Sequence, residues 1–154
     1  MVIVRPASEA DLPALLAGAR EFVAESAYGW TFVEELAADT FRRYIGSDGG
    51  AVLVADDGDG AIAGAAIVVN DRDFCAERLG FVVKFYLRPM FRGATAGRSL
   101  ALACCEWFQA NLCWAAFVTA TANVSADRLF VNLFKKFGFV ELGPTMIKDF
   151  GGTR

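Results

Sequence analysis

The sequence predicts a single α/β (α+β) domain of seven strands and four helices, in the order β-α-α-β-β-β-α-β-α-β-β. Three observations predict it. A length of 154 residues suits one domain with one full core. Hydrophobic residues at 55% and charged residues at 21% exclude a disordered chain. Short β-branched or aromatic runs alternate with stretches whose apolar residues recur at helical spacing, and glycine, proline or acidic turns separate them.

The elements follow in order. Residues 2–4 are a short β-branched strand. Ser8 precedes Glu9 and Asp11, an N-cap followed by acids in the first turn. Leu12, Leu15, Leu16, Ala19, Phe22 and Val23 then carry a helix towards residues 27–29. A second helix covers 32–44, and 47–50 form a turn. Residues 51–55, AVLVA, and 61–69 are strands around the hairpin turn Asp56-Asp57-Gly58-Asp59-Gly60. The connection 70–78 is polar and holds Asp71, Asp73 and Glu77. Residues 81–87, FVVKFYL, are a strong strand, and Pro89 ends its hydrogen bonding. Residues 95–111 read as a helix that buries Leu100, Ala103, Cys104, Trp107 and Phe108, and 114–119 as a buried strand. Residues 125–137 are a helix with Leu129, Phe130, Leu133, Phe134 and Phe137 on its apolar face, stopped by Gly138. Residues 139–142 and 145–150 close the chain as strands around Gly143-Pro144.

Composition excludes several chemistries. There is no histidine, which removes a His base, Ser-His and Cys-His pairs, and most zinc sites. Cys75, Cys104, Cys105 and Cys113 match no zinc or redox spacing and read as reduced core thiols. No apolar run reaches the roughly 20 residues of a membrane helix, and the start is too acidic for a signal peptide. A soluble, cytoplasmic protein is expected, with no membrane partner. Residues 1–77 hold 5 Lys and Arg against 14 Asp and Glu, a net −9, whereas 78–154 hold 10 against 4, a net +6. Such a split suits either two solvated faces or two partners, a polyanionic ligand and a cationic one. The net acidity argues against nucleic acid. The 14 phenylalanines and a mean hydropathy of +0.38 suggest surface buried in a homodimer.

The stretch FRGATAGRSL, residues 91–100, lies between a strand and a helix and reads as a phosphate cradle. A P-loop needs four residues between its glycines and then lysine; Gly93 and Gly97 enclose three, and Arg98 follows. The dinucleotide fingerprint needs glycines at different spacing. A third reading fits better: a helix N-terminus whose free N–H groups would meet a pyrophosphate, with glycines for close approach and Arg92 and Arg98 for charge; the alternative is a glycine-containing loop before an ordinary helix.

These residues resemble the core motif of the GCN5-related N-acetyltransferase (GNAT) family, Gln/Arg-x-x-Gly-x-Gly/Ala. Arg92 fills its first position and Gly97 its last, while Thr95 replaces the usual glycine. LRPMFRG, residues 87–93, is similar to the family's strand exit, and Asn123-Val124-Ser125-Ala126 with LFKKFGF, residues 133–139, is similar to its later segment. The opening VIVRPASEADLPALL resembles its first strand and helix, so the likeness covers nearly the whole chain. AESAY, residues 24–28, with the loop's arginine and glycines, looks closest to phage-type members.

The resemblance implies a mixed, mostly antiparallel sheet with helices on both faces and a V-shaped splay between its fourth and fifth strands. Acetyl-coenzyme A would lie in that splay as co-substrate, with no metal. Backbone groups of Phe85 and Leu87 would pair with its pantetheine arm. Residues Arg92, Gly93, Ala94, Thr95, Ala96, Gly97 and Arg98 would hold its pyrophosphate, with Asn123 and Phe134 on the other side. The activity implied is N-acetyl transfer by direct amine attack. The acceptor is a small-molecule or peptide amine, and the acidic half suits a cationic one. The family's tyrosine acid is Phe134 here, so Tyr86 and Ser125 are the candidate proton donors. Glu25, Asp71, Asp73 and Glu77 are the candidate bases. The alternative is a catalytically silent acyl-CoA-binding module that regulates a partner.

Overall fold

A strand with no polar side must be covered on both faces, and AVLVA has none. In the computed structural model, which describes residues 1–26, 29–72, 76–92, 95–119 and 124–143 (the side chains of 124–127 excepted), this run lies in β2 (Gly50–Asp56). Neighbouring strands β1 (Ile3–Pro6) and β3 (Ile62–Asp71) flank it. Val52 and Val54 join Leu15, Ile62 and Ile67 on one face, under α1 (Leu12–Glu25) and α2 (Glu34–Tyr44). Leu53 and Ala55 join Ala66, Val68 and Leu100 on the other, under α3 (Thr95–Ala110) and α4 (Val124–Lys135). Two hydrophobic cores thus sandwich one sheet.

The sheet order is β1-β2-β3-β4-β5, with β4 at Leu79–Leu87 and β5 at Ala115–Val118. The first four strands form an antiparallel meander, and α3 is the crossover that brings β5 parallel to β4. The sheet is mixed and mostly antiparallel, as expected. Among the described residues it has five strands rather than seven. Residues 139–142 pair with none of them, and Val140 and Leu142 are exposed there; 145–150 lie outside the described residues. The expectation that 114–119 are buried also needs correction. Among the described residues only β4 pairs with β5, and Trp114 and Phe117 are exposed.

One irregularity sets the geometry of β4. Ile67 pairs with Lys84 but Val68 pairs with Val82, so Val83 is an extra residue, a β-bulge. A bulge reverses which face later residues meet. Val82 faces the α3 side, and after the bulge Phe85 and Leu87 do so. Lys84, Tyr86 and Arg88 are therefore turned to the α1 side. Pairing of β4 with β5 also stops at Val82.

α3 packs close because its sheet-facing positions are small. Ala96, Gly97, Ala101 and Cys104 are buried beside Leu100 and Phe108. The ring of Phe108 lies against Gly80 of β4, where an added Cβ would come within 2.4 Å of its Cδ1. The start of α1 is anchored by Asp11, the buried charged residue at its N-terminus. Arg5 of β1 donates two hydrogen bonds of 2.8 Å to the Asp11 carboxylate, and the backbone N–H and hydroxyl of Ser8 add two more. Among the described residues no helix is long and apolar enough to cross a membrane.

Two measurements test this frame. Gly80→Ala should lower stability by about 1–3 kcal/mol in urea unfolding. Gly49→Ala, whose Cβ would meet nothing within 4 Å, should stay within about 0.5 kcal/mol. The second concerns pH. Hydrogen bonding from Arg5, and then from Ser8, holds the Asp11 carboxyl well below the usual carboxylate range despite partial burial. A pKa lowered on folding contributes stability that is present above the unfolded value of about 3.9 and lost as pH falls through the folded one. The melting-temperature gap between wild type and Asp11→Asn should therefore be full at about pH 6 and shrink below about pH 3.

Candidate functional site

Beyond the bulge, β4 has an edge with no strand partner among the described residues. The Arg88 N–H donates to the Ala63 carbonyl of β3 at 3.0 Å. Backbone groups alternate along a strand, so those of Phe85 and Leu87 point the other way, into the gap beside β5. The Leu87 carbonyl there already accepts a 2.9 Å hydrogen bond from Arg92 Nε.

The chain then reaches α3. The N–H groups at the helix start, those of Thr95, Ala96 and Gly97, have no intrahelical acceptor and carry the positive end of the helix dipole. Thr95 and Arg98 are exposed, whereas Ala96 and Gly97 are buried. Gly97 has a packing role that the loop reading did not anticipate. A Cβ on it would lie 2.8 Å from Leu87 Cδ1, so its bareness lets the helix start sit on the strand end. Gly93, Ala94 and Asn123 lie outside the described residues, as does the side chain of Ser125, whose backbone is in α4. Phe134 is 2% exposed and packs against Phe85, Phe130 and Phe139.

On the other face, α1 presents Glu21, Phe22 and Glu25 at helical spacing to β4. The Tyr86 hydroxyl donates to Glu25 Oε1 at 3.0 Å, and its ring meets Phe22 edge-on with centroids 5.7 Å apart. Arg92 donates to Glu25 Oε2, and its guanidinium lies 5.4 Å from the centre of the Tyr86 ring. Arg92 thus links three elements: the end of β4, the loop before α3, and α1. Its side chain is engaged with Glu25, Tyr86 and Leu87, so the charge expected at the phosphate cradle falls to Arg98. Arg88 donates to both oxygens of Glu21, at 2.7 and 3.1 Å. Burial, and then the Glu25 carboxylate, push the Tyr86 phenol above its ordinary value. At neutral pH it is a hydrogen-bond donor and a weaker acid than a free phenol.

The remaining candidate bases are not brought here. Asp71 and Glu77 lie towards the opposite end of β4. Asp71 pairs with Leu79, while Tyr86 pairs with Ala65, a separation of roughly 20 Å along the strand. Asp73 lies outside the described residues. Of the thiols, Cys104 is buried and its pKa is raised by desolvation, in keeping with an inert core cysteine.

Between α1, α2 and the β3–β4 face lies a cavity of about 310 Å³. Its walls include Phe22, Trp30, Phe32, Leu36, Phe41 and Ile67, and its polar rim carries Lys84, Tyr86 and Arg88. Among the described residues no Asp or Glu lines it. Sequence reasoning missed Glu21, although its position four residues before Glu25 marks the same helix face. It also missed the bulge at Val83, which leaves no mark in an unbroken β-rich run.

Residues 19–139 match the model of the acetyltransferase (GNAT) family. No curated protein matches the chain in sequence. Solved structures do match in fold. An integron cassette protein from the mobile metagenome of Cole Harbour Salt Marsh superposes with a TM-score of 0.77 at 22% identity, over 95% of this chain and 88% of that one. The aminoglycoside N-acetyltransferase AAC(6')-Iy, bound to a coenzyme A bisubstrate analogue, gives 0.77 at 14% identity over 97% of each chain. Glucosamine-6-phosphate N-acetyltransferase from Arabidopsis thaliana gives 0.72 at 16% identity, over 97% and 99%. At such identities the likeness is one of fold.

The Glu25–Arg92 contact is testable as a coupling. In a double-mutant cycle of Glu25→Ala and Arg92→Ala, urea unfolding should give an interaction of about 1 kcal/mol, as suits a half-buried pair. A coupling near zero would mean that the two side chains are not held together in solution.

Proposed function

We propose that this chain, which belongs to the acetyltransferase (GNAT) family, moves an acetyl group from acetyl-coenzyme A to a primary amine of a small molecule or peptide. The observation that carries the reading is the free edge of β4. Pairing with β5 ends at Val82, and the strand then continues for five residues to Leu87, ahead of the turn that leads to α3. An extended pantetheine arm suits such an edge, as an added strand does. The Phe85 backbone groups and the Leu87 N–H are the pairing groups, since Arg92 holds the Leu87 carbonyl. The first-turn N–H groups of α3, with Arg98, suit a pyrophosphate. The donor supplies the activated acyl carbon, and this chain's residues position it and manage protons.

In the reaction the amine nitrogen attacks the thioester carbonyl carbon, an N–C bond forms, and the C–S bond breaks. The nitrogen must shed a proton, because a free alkylammonium has a pKa of about 10. Glu25 is the candidate to receive it through water. Its oxygens already accept from Tyr86 and Arg92, which leaves lone pairs to spare. Tyr86 and Arg92 orient Glu25, so in this reading Tyr86 is a positioning residue rather than the proton donor expected from the sequence. The leaving thiolate takes its proton from solvent or from Ser125. A placement among phage-type members rests on the AESAY segment and the loop alone. Cytoplasmic location and a homodimer belong to the same reading, and a monomeric mass at micromolar concentration would count against the dimer.

The test is coenzyme A release from acetyl-coenzyme A over a broad amine panel. Turnover is expected, and Glu25→Gln should lower kcat by about 10²-fold while coenzyme A binding holds. Tight acetyl-coenzyme A binding with no turnover on any amine would instead favour the silent regulatory module.

A further inference from the structure

The charge split of the sequence points to a cationic acceptor, but the cavity does not present those acids. Among the described residues the carboxylates of the first half that face this region are held by arginines. Glu21 is bound by Arg88 and Glu25 by Arg92, while Glu34 is bound by Arg20 and Glu9 by Arg42 farther out. On the cavity wall the charged groups are Arg88 and Lys84. Arg88 is compensated by Glu21. Lys84 forms no ion pair among the described residues; its Nζ stands 5.7 Å from the centre of the Phe22 ring, and the side chain is exposed. The uncompensated charge at the cavity is therefore positive.

We infer that the acceptor is a small amine with an apolar body and a carboxylate, the chemistry of an apolar amino acid, and that Lys84 receives the carboxylate. This rests on the acetyltransferase reading and narrows it. The volume of about 310 Å³ lies at the lower end of small-molecule sites, which run from about 300 to 1,000 Å³. Phe22, Trp30, Phe32 and Leu36 offer an apolar body a dry wall. Among the described residues Lys84 is the uncompensated cation that wall offers a carboxylate, and a second cation on the acceptor would meet repulsion. The same environment favours the chemistry. Apolar surroundings and a nearby ammonium disfavour the charged form of the acceptor amine and so promote its neutral, attacking form. The bulge at Val83 brings Lys84 to this face; without it the residue would point towards α3.

The experiment compares kcat/KM with acetyl-coenzyme A for phenylalanine, leucine, their decarboxylated amines and a polyamine. Wild type should prefer each amino acid over its decarboxylated amine by about tenfold or more, as suits a charged hydrogen bond. Lys84→Gln should bring that ratio close to one, chiefly through KM, and Lys84→Glu should invert it. Melting curves of both variants confirm folding at this exposed position. Equal or better turnover of the decarboxylated amines or the polyamine by wild type would overturn the inference and leave the acetyltransferase reading intact. A ratio unmoved by either variant would overturn the role of Lys84. Bound acetyl-coenzyme A with no acetylation of any amine would overturn both.

Discussion

The arrangement of this molecule depends on a single extra residue in β4. In regular register Val82, Lys84, Tyr86 and Arg88 would all share one face, the α3 side. Because Val83 bulges, Phe85 and Leu87 fall under α3 and α4, and Lys84, Tyr86 and Arg88 fall under α1. The cost is a disrupted ladder and a bend. The return is that an apolar pair closes one core while a polar trio faces a cavity on the other side. The last β4–β5 pair also falls beside the bulge, so the edge without a strand partner among the described residues begins there.

Given that edge, the loop after β4 has two jobs, and different residues perform them. Gly97 lets α3 begin against Leu87, which fixes the helix N-terminus relative to the strand end. Arg92 reaches back to the Leu87 carbonyl and across to Glu25. The side chain that opens the family motif therefore ties the end of β4 and the loop before α3 to α1, which in the proposed function joins the donor side to the acceptor side. A shift of the loop would be felt at Glu25 and Tyr86 without any contact between acceptor and donor. The coupling is carried by one guanidinium that stacks, donates and pairs at once, which a lysine could not do.

Most of the elements were legible in the sequence because their signals are local. The apolar run of β2, the DDGDG turn and the helical spacing of α1 and α3 need only neighbours to be read. What was not legible depends on pairing at a distance. FVVKFYL is rich in β-formers throughout, and an extra residue in it is visible only against β3. Tyr86 and Glu25 were both candidates by residue type, yet their contact spans 61 positions. The charge split was read along the chain, whereas Glu21 and Glu25 of the acidic half are paired in space by Arg88 and Arg92 of the basic half. Residues 139–142 have strand composition but exposed Val140 and Leu142, and composition cannot supply a partner.

Phe134 bears on the chemistry in a similar way. In the family motif this position holds the proton-donating tyrosine, and here it is buried among Phe85, Phe130 and Phe139. A hydroxyl added in that cluster would need a partner to offset its desolvation, and the surrounding rings offer none. The aromatic packing is thus consistent with the loss of the acid rather than with a vacated acid site. Tyr86 is a poor substitute, since burial and Glu25 make its proton harder to remove. The reaction can tolerate this because a thiolate, with a pKa near that of a free thiol at about 8.5, leaves without full protonation. The demanding step is then deprotonation of the amine. In the proposed reaction the features assembled on the α1 face, an oriented carboxylate, an apolar cavity and a cation beside it, would all bear on that step.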